Sequence, residues 1–251
     1  MSGWALRREE VLEAHEVQER LADTPPRAAQ AILSAAAAGL TEAQALLGQI
    51  LLDGRGIERD PALALRWFEI AADAGHLMAR NMLGRCHEHG WGCEPNASKA
   101  AVHYRICAEA GLDWGLYNLA NLQATGRGVA RDEQAAVEGY RHAAELGHAK
   151  SMNLYGRYLE DGRCVARDVA AAHAWYRRSA EAGDFRGQFS HGGVLIAAGK
   201  LDEGLAWLEK ARQGGHAAFR VVAAQALASS PLPQLQALAS AWLAEEALPA
   251  A

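Results

Sequence analysis

The sequence lacks a long apolar run, is poor in cysteine and carries no excess of basic charge. No stretch approaches the roughly 20 consecutive apolar residues that a membrane-spanning helix requires. The N-terminus, MSGWALRREEVLEAHE, shows neither an apolar segment nor a small-residue cleavage site, so we expect no secretory signal peptide. Four cysteines in 251 residues are too few for a disulfide scaffold. We therefore predict a cytoplasmic protein without a membrane segment.

The charge balance and the apolar content limit the class of protein further. The formal net charge of −5 creates no field that would attract nucleic acid phosphates or an acidic membrane surface. We therefore expect no nucleic acid partner. Half of the residues are apolar, which is enough for a sizeable core. Abundant alanine, with proline kept to the edges of apolar segments, favours helix.

Several residue types recur with a period of 36 positions, which is the signature of a repeat architecture. The first set is Gly39, Gly75, Gly111, Gly147 and Gly183. The second set is Gly54, Gly90, Gly126 and Gly162, and the third is Asp60, Asn96, Asp132 and Asp168. The chain is therefore built from tandem copies of one unit.

Each copy has the pattern of a helix pair. Residues 43–53 carry apolar side chains at helical spacing and predict a first helix, helix A. After a glycine-rich loop, Asp60 suits a helix N-cap and Pro61 suits the first helical position. A second helix, helix B, extends from there to Gly75, which suits a left-handed C-cap. Gly48 lies within helix A, which predicts that a neighbouring helix crosses close to its backbone.

The repeats divide a single repeat domain, 1–251. Its predicted parts are an N-terminal helix pair or cap at 1–42, with a helix over about 4–22; full repeats at 43–78, 79–114, 115–150 and 151–186; a shortened repeat at 187–218; and C-terminal cap helices at 219–251. We predict an all-α fold, a right-handed α/α solenoid (superhelix) of about six helix-pair repeats with a concave groove. Trp67, Phe68 and Trp175 of helix B are predicted to pack in its core.

Two segments carry a resemblance to a known family, LLGQILLDGRGIERDPALALRWFEIAADAG and NLANLQATGRGVARDEQAAVEGYRHAAELG. They resemble the Sel-one-like repeat (SLR) family, which is related to the tetratricopeptide repeat, and the similarity covers about residues 27–218. The resemblance implies an α/α solenoid with a concave groove that acts as an adaptor for protein complexes. Single positions depart from the family pattern, since Cys93 replaces a loop Val, Cys164 a loop Gly and Gly139 a Trp.

A cluster of Cys86, His87, His89 and Cys93 has the chemistry of metal ligands. Zinc favours thiolates and imidazoles, but its common motifs separate two ligand pairs by a longer stretch. Cys86 and Cys93 also occupy positions that are apolar in the other repeats, where a free cysteine behaves as a small hydrophobe. We therefore predict no metal site and leave metal binding by these four residues to be tested by elemental analysis.

No pattern in the sequence indicates catalysis. The ten histidines are scattered, and none pairs in sequence with an obvious serine or cysteine nucleophile. The GRG and GWG loops follow a helix rather than a strand and lack a Lys-Ser/Thr, so they are not phosphate-binding loops. We predict a non-catalytic protein without a cofactor. The alternative is an enzyme, or a small-molecule or metal-binding protein, that uses the same groove.

One face of helix A is predicted to line the groove and to bind a protein or peptide whose identity the sequence does not give. Asparagine amides suit a peptide backbone, basic groups suit carboxylates, and aromatic rings suit binding hot spots. The predicted peptide-binding residues are Asn81, Arg85, Trp114, Tyr117, Asn121, Lys150, Asn153 and Arg157. Glu88 and Glu160 are expected to offset part of their charge. Trp91, in a loop, is a second candidate contact, and a monomer is favoured.

Overall fold

The computed structural model describes residues 25–246. Within that range it contains thirteen α-helices and no strand, which confirms the all-α prediction. The helices are α1 Pro25–Ala37, α2 Thr41–Asp53, α3 Pro61–Asp73, α4 Leu77–His89, α5 Ala97–Glu109, α6 Asp113–Thr125, α7 Glu133–Glu145, α8 Ala149–Asp161, α9 Val169–Glu181, α10 Phe185–Ala197, α11 Leu201–Gly214, α12 Ala217–Ala228 and α13 Pro233–Glu246. The predicted helix over 4–22 lies outside the described residues.

The helices form two compact units, which divide between Asp132 and Glu133. The first unit contains α1 to α6, and each of its helices packs against the next along the chain. The second unit contains α7 to α13, with α7 to α11 packed in succession and α12 packed on α13. Helix A of the repeat corresponds to α2, α4 and α6 in the first unit and to α8 and α10 in the second.

Capping groups lie at the predicted positions, both where helices begin and where they end. Asp60, Asn96 and Asp168 each accept a hydrogen bond from the backbone N–H three residues along, which stabilises the start of helix B. Gly54, which follows α2, has a left-handed φ of 74° and ends that helix. His76, which follows helix B, caps the next helix A through Nδ1. The N-cap predicted at Asp60 is confirmed, and Asn96 and Asp168 cap the equivalent helices.

Glycines inside helix A allow an aromatic ring of helix B to lie against the backbone. A Cβ atom at Gly48 would stand 2.7 Å from the Phe68 ring, and one at Gly156 would stand 2.7 Å from the Tyr176 ring. Real Cβ atoms do not approach a ring so closely. The close helix crossing predicted from Gly48 is therefore confirmed, and the propensity cost of a mid-helix glycine is offset by the burial of the ring.

The tryptophans predicted to pack in the core lie at its edge, and the fully buried ring of helix B belongs to the residue beside each of them. Trp67 and Trp175 are only partly buried, whereas Phe68 and Tyr176 beside them are fully buried. Adjacent residues of a helix differ in direction by about 100°, so only one of the two can point at helix A. By contrast, Trp242 of α13 is fully buried in the core that closes the second unit.

Candidate functional site

In the first unit, equivalent positions on three helices form one face that includes the predicted contacts of α4 and α6, and we call this face the helix A stripe. It consists of Glu42, Ala45 and Gln49 on α2, Met78, Asn81 and Arg85 on α4, and Trp114, Tyr117 and Asn121 on α6. Trp114 and Tyr117 pack edge to face, with ring centroids 6.1 Å apart. Both rings are partly exposed.

Two of the three asparagines assigned to peptide binding are buried between helices. Asn81 is 1% exposed, and its Oδ1 accepts a hydrogen bond of 2.9 Å from Asn118 Nδ2. In the second unit Asn153 is 3% exposed, and its Oδ1 accepts a hydrogen bond of 2.9 Å from Ser190 Oγ. A buried amide would lose such a bond if it turned to a ligand, at a cost of about 1–3 kcal/mol. Asn81 and Asn153 therefore join successive A helices, and their assignment to the binding set was wrong.

Ala45 occupies on α2 the position that Asn81 occupies on α4. Asn81 accepts a hydrogen bond from Asn118, and the residue that corresponds to Asn118 one repeat earlier is Met82. Neither Ala45 nor Met82 can form the amide hydrogen bond, and the methyl group of Ala45 leaves unfilled the space that an amide fills in the next repeat. A pocket opens between α2 and α4 as a result.

This pocket has a volume of about 480 Å³ and a predominantly apolar lining. Its walls come from α1 to α4 and include Ile32, Leu46, Phe68, Met78, Ala79 and Met82. Leu46 and Met78 are 37% and 39% exposed, so the apolar surface is accessible from outside. The sequence analysis missed this site. The signal was present in Ala45, a small residue at a position that is larger in the three following repeats.

Polar groups stand at the edges of the pocket. His76 Nε2 donates a hydrogen bond of 3.0 Å to Glu42 Oε2 at one end. Arg85, which does not line the pocket itself, has Nη1 3.7 Å from the sulfur of the lining residue Met82, and its guanidinium carbon lies 5.0 Å from the centre of the Trp91 ring. Trp91 therefore folds back towards α4 beside the helix A stripe.

The carboxylates expected to offset the charge of the groove are directed into the repeats instead. Glu88 accepts a hydrogen bond of 2.7 Å from the Tyr104 hydroxyl and pairs with Arg127. In the second unit Glu160 accepts a hydrogen bond of 2.6 Å from the Tyr176 hydroxyl. Burial and these carboxylates raise the pKa of both tyrosines. Glu88 and Glu160 thus join helix A to helix B, and their effect on the charge of the binding face stays a prediction.

The remaining predicted contacts, Lys150 and Arg157, lie on α8 in the second unit. Arg157 is exposed and lines a small cavity of about 130 Å³ together with Tyr158 and Arg163. The Arg163 guanidinium lies 4.5 Å from the centre of the Tyr158 ring and pairs with Glu133 at 3.2 Å. This second cavity is polar and much smaller than the pocket of the first unit.

Comparison with known proteins identifies the repeat. The family model described as Sel1 repeat matches residues 41–76, 77–112, 115–148, 149–184 and 197–216, which together are more than half of the chain. The chain belongs to the Sel1 repeat family. Three of the matched segments begin at the first residue of an A helix, so the family's frame starts two residues before the one predicted from the sequence. No curated protein matches the chain.

Solved structures with the same fold extend over most of the chain. A Sel1 repeat protein from Oxalobacter formigenes has a TM-score of 0.77 at 25% identity, covering 93% of this chain and 98% of that one. A protective antigen of uropathogenic Escherichia coli strains that displays an SLR fold has a TM-score of 0.65 at 24% identity. The match covers 89% of this chain and 49% of that one. An immunity protein from Pseudomonas aeruginosa has a TM-score of 0.55 at 15% identity, covering 83% and 82%. The fold is therefore an all-α solenoid of repeats.

Sel1 repeat proteins are generally protein-interaction scaffolds, and their solenoid fold is typically non-catalytic. Across residues 25–246, no helix is both long and apolar enough to cross a membrane.

The second Sel1 repeat holds the cysteines and histidines with metal-ligand chemistry. Cys93 Sγ lies 3.4 Å from His87 Nδ1, and His89 packs against Trp91 at a centroid distance of 4.9 Å. Burial raises the pKa of Cys86 to about 12 and also raises the pKa of Cys93. In the described part of the chain, no three histidine, cysteine or acidic side chains come together as a metal site requires.

An imidazole pair in the same Sel1 repeat replaces an apolar contact. His87 and His103 stack with ring centroids 5.4 Å apart and an interplanar angle of 9°. The equivalent residues in the preceding repeat are Leu51 and Trp67. The Nδ1 atom of His103 is buried without a hydrogen-bond partner. Burial lowers the pKa of both rings, that of His103 to about 4.

We expect the first unit to lose about 2 kcal/mol of stability as the pH falls from 6.5 towards 4. The unfolded chain protonates His103 near pH 6.5, but the folded chain protonates it only near pH 4. The unfolded state therefore binds more protons throughout this window, and stability is greatest above it. Arg80 and Lys99 face the imidazole pair and oppose its protonation, whereas Glu69 and Asp73 favour it.

Urea unfolding of the whole chain at pH 7, 5.5 and 4.5 measures this loss. The control is His103→Trp, because tryptophan holds the equivalent position in two other repeats. Subtracting the acid-induced loss in unfolding free energy of one protein from that of the other removes the contribution of carboxylates, because that contribution is common to both. An equal acid-induced loss in His103→Trp would show that the imidazole is not its source.

Proposed function

We propose that this chain is a non-catalytic protein-interaction scaffold that binds a segment of its partner along the helix A stripe of the first unit. The observation that carries the proposal is the apolar pocket beneath Ala45, which continues into the exposed surfaces of Leu46 and Met78. Concave apolar pockets beside a few polar groups are where binding energy concentrates, because one buried anchor supplies most of it.

The rest of the stripe suits an extended partner. Gln49 lines the pocket and offers both a donor and an acceptor to a peptide backbone, which is the role first assigned to the buried asparagines. Tyr117 and Trp114 add rigid aromatic area one repeat further along. Lys150 and Arg157 stay predicted contacts in the second unit. A cytoplasmic location also stays a prediction, and cell fractionation tests it.

We expect Ala45→Leu to abolish most partner binding while leaving the fold intact. Leucine and alanine both have high helix propensity, and the larger side chain would fill part of the pocket that an anchor needs. A lost hot-spot contact costs about 2 kcal/mol or more, which corresponds to roughly thirtyfold weaker binding. The measurement is affinity capture from lysate with quantitative mass spectrometry, followed by titration of the captured partner against each purified variant.

The matched control is Ala174→Leu, which makes the same change at an exposed helical position on α9. Tyr117→Ala is a second test variant and should weaken binding of the same partner at least tenfold. Partners that bind Ala45→Leu as tightly as the unmodified chain would place the binding site outside the pocket. Turnover of a small-molecule substrate by the purified chain would instead support the enzyme alternative, which no observation in the structure favours at present.

A further inference from the structure

The pocket has a negatively charged end. Glu42 lies in the first turn of α2, lines the pocket and has a side chain that is 91% exposed. His76 Nδ1 accepts the backbone N–H of Ala79 at 2.9 Å, so the proton of the ring is carried by Nε2, which donates to Glu42. In this tautomer the imidazole orients the carboxylate without neutralising its charge. The carboxylate is thus held at the pocket rim and accessible to a cation.

A positively charged group, Arg85, lies beyond Met82, which lines the pocket. Arg85 is on the third turn of α4, with Nη1 3.7 Å from the Met82 sulfur that lines the pocket. No acidic side chain among the described residues pairs with Arg85. Glu88, one turn further along, is already bound by Tyr104 and Arg127. The Trp91 ring supports the guanidinium without supplying a negative charge.

The separation along the helix axis follows from α4. His76, the N-cap of α4 that holds Glu42, lies nine positions before Arg85, and at 1.5 Å per residue this is a rise of about 13.5 Å. An extended chain rises about 3.3 Å per residue, so about four residues span it. Met78 and Met82 lie between the two charged groups and present only apolar surface.

We infer that the partner segment is an extended peptide with a basic and an acidic residue about four positions apart and a large apolar side chain between them. The basic residue pairs with Glu42, the acidic residue pairs with Arg85, and the apolar side chain fills the pocket under Ala45. This inference rests on the proposed function and adds the chemistry of the ligand to it. Opposite charges at the two positions also set the direction in which the segment lies.

The experiment is selection of a random dodecapeptide display library on the full chain, with the enriched peptides read by sequencing. We expect them to share the basic, apolar and acidic pattern. A synthetic, fluorescently labelled copy of the most enriched peptide then serves as the probe in polarisation titrations. Glu42→Lys and Arg85→Glu should each weaken its binding at least tenfold. Reversing the matching charge in the peptide should restore most of that loss.

The outcomes separate this inference from the proposed function. If Ala45→Leu abolishes peptide binding but neither charge reversal changes the Kd by more than twofold, the charge pattern is wrong and the pocket stands. If no peptide is enriched, or if the enriched peptides bind Ala45→Leu normally, both proposals fail. Glu42→Gln and Arg85→Gln give smaller losses of the same sign and replace the reversals should either reversed variant fold poorly by circular dichroism.

Discussion

Tyr176→Ala should lower the free energy of unfolding of the second unit by about 3–5 kcal/mol. The Tyr176 ring is 2% exposed and lies against the backbone of Gly156, so its removal leaves a cavity that a glycine cannot fill. The substitution also removes the hydroxyl that donates to Glu160 at 2.6 Å. Stability in a repeat protein is approximately the sum of repeat and nearest-neighbour terms, so the loss should be local to this unit.

Urea unfolding followed by circular dichroism measures the change, and hydrogen exchange locates it. The neighbouring substitution Trp175→Ala is the matched control, since it also removes a large ring but one that is only partly buried against Tyr155. We expect it to cost about half as much or less. Tyr176→Phe keeps the ring and should cost about 1 kcal/mol through the lost hydrogen bond. A larger loss from Trp175→Ala than from Tyr176→Ala would reverse the assignment of the core residue.

Gly92→Ala should destabilise the first unit by about 3 kcal/mol, because two penalties combine. Gly92 has a φ of 77°, a conformation that costs an L-residue about 1–2 kcal/mol. A Cβ atom there would also overlap the backbone carbonyl of Pro61 at the start of the preceding B helix. Backbone cannot move aside as a flexible side chain does, so the loop must shift from the repeat it packs on. Urea unfolding at pH 7 measures the effect.

Gly75→Ala separates the two penalties. Gly75 has a φ of 92°, but a Cβ atom there would meet nothing within 4 Å, so only the conformational cost applies. Cys164 occupies the position equivalent to Gly92 with a φ of 59°, and Cys164→Gly should accordingly stabilise the second unit by about 1 kcal/mol. Equal losses from Gly92→Ala and Gly75→Ala would show that the close approach to Pro61 contributes nothing.

Much of the fold could be predicted because its signals are local and repeated. A mid-helix glycine such as Gly48, an N-cap such as Asp60 and a C-terminal glycine such as Gly75 each depend on a few neighbouring residues, and 36-residue periodicity reports the same signal several times. The choice between Trp175 and Tyr176 as the core ring was not available from periodicity. Both are large and adjacent, and the direction of helix packing decides which is buried.

The binding face shows where prediction from sequence failed. Asn81 and Asn153 were placed on the correct helix and on a face with the expected chemistry, yet each amide is bonded to a residue 37 positions away. The sequence contains both partners but not the contact between them. The pocket was missed for a related reason: Ala45 is unremarkable alone, and the cavity exists only because Met82, on the next A helix, stands where another repeat has a bonding amide.

The sequence by itself determined the repeat length, the helix pairs with their caps, and the family. These features depend on short-range propensities and on a periodic pattern that recurs in each repeat. Only the tertiary structure decided which polar residues are exposed and where an apolar pocket opens. Those properties depend on contacts between successive repeats, in which a residue of one helix meets a residue about 37 positions later. Ala45 and Met82 line the pocket of about 480 Å³ at the positions where the next repeat has the hydrogen-bonded pair Asn81 and Asn118.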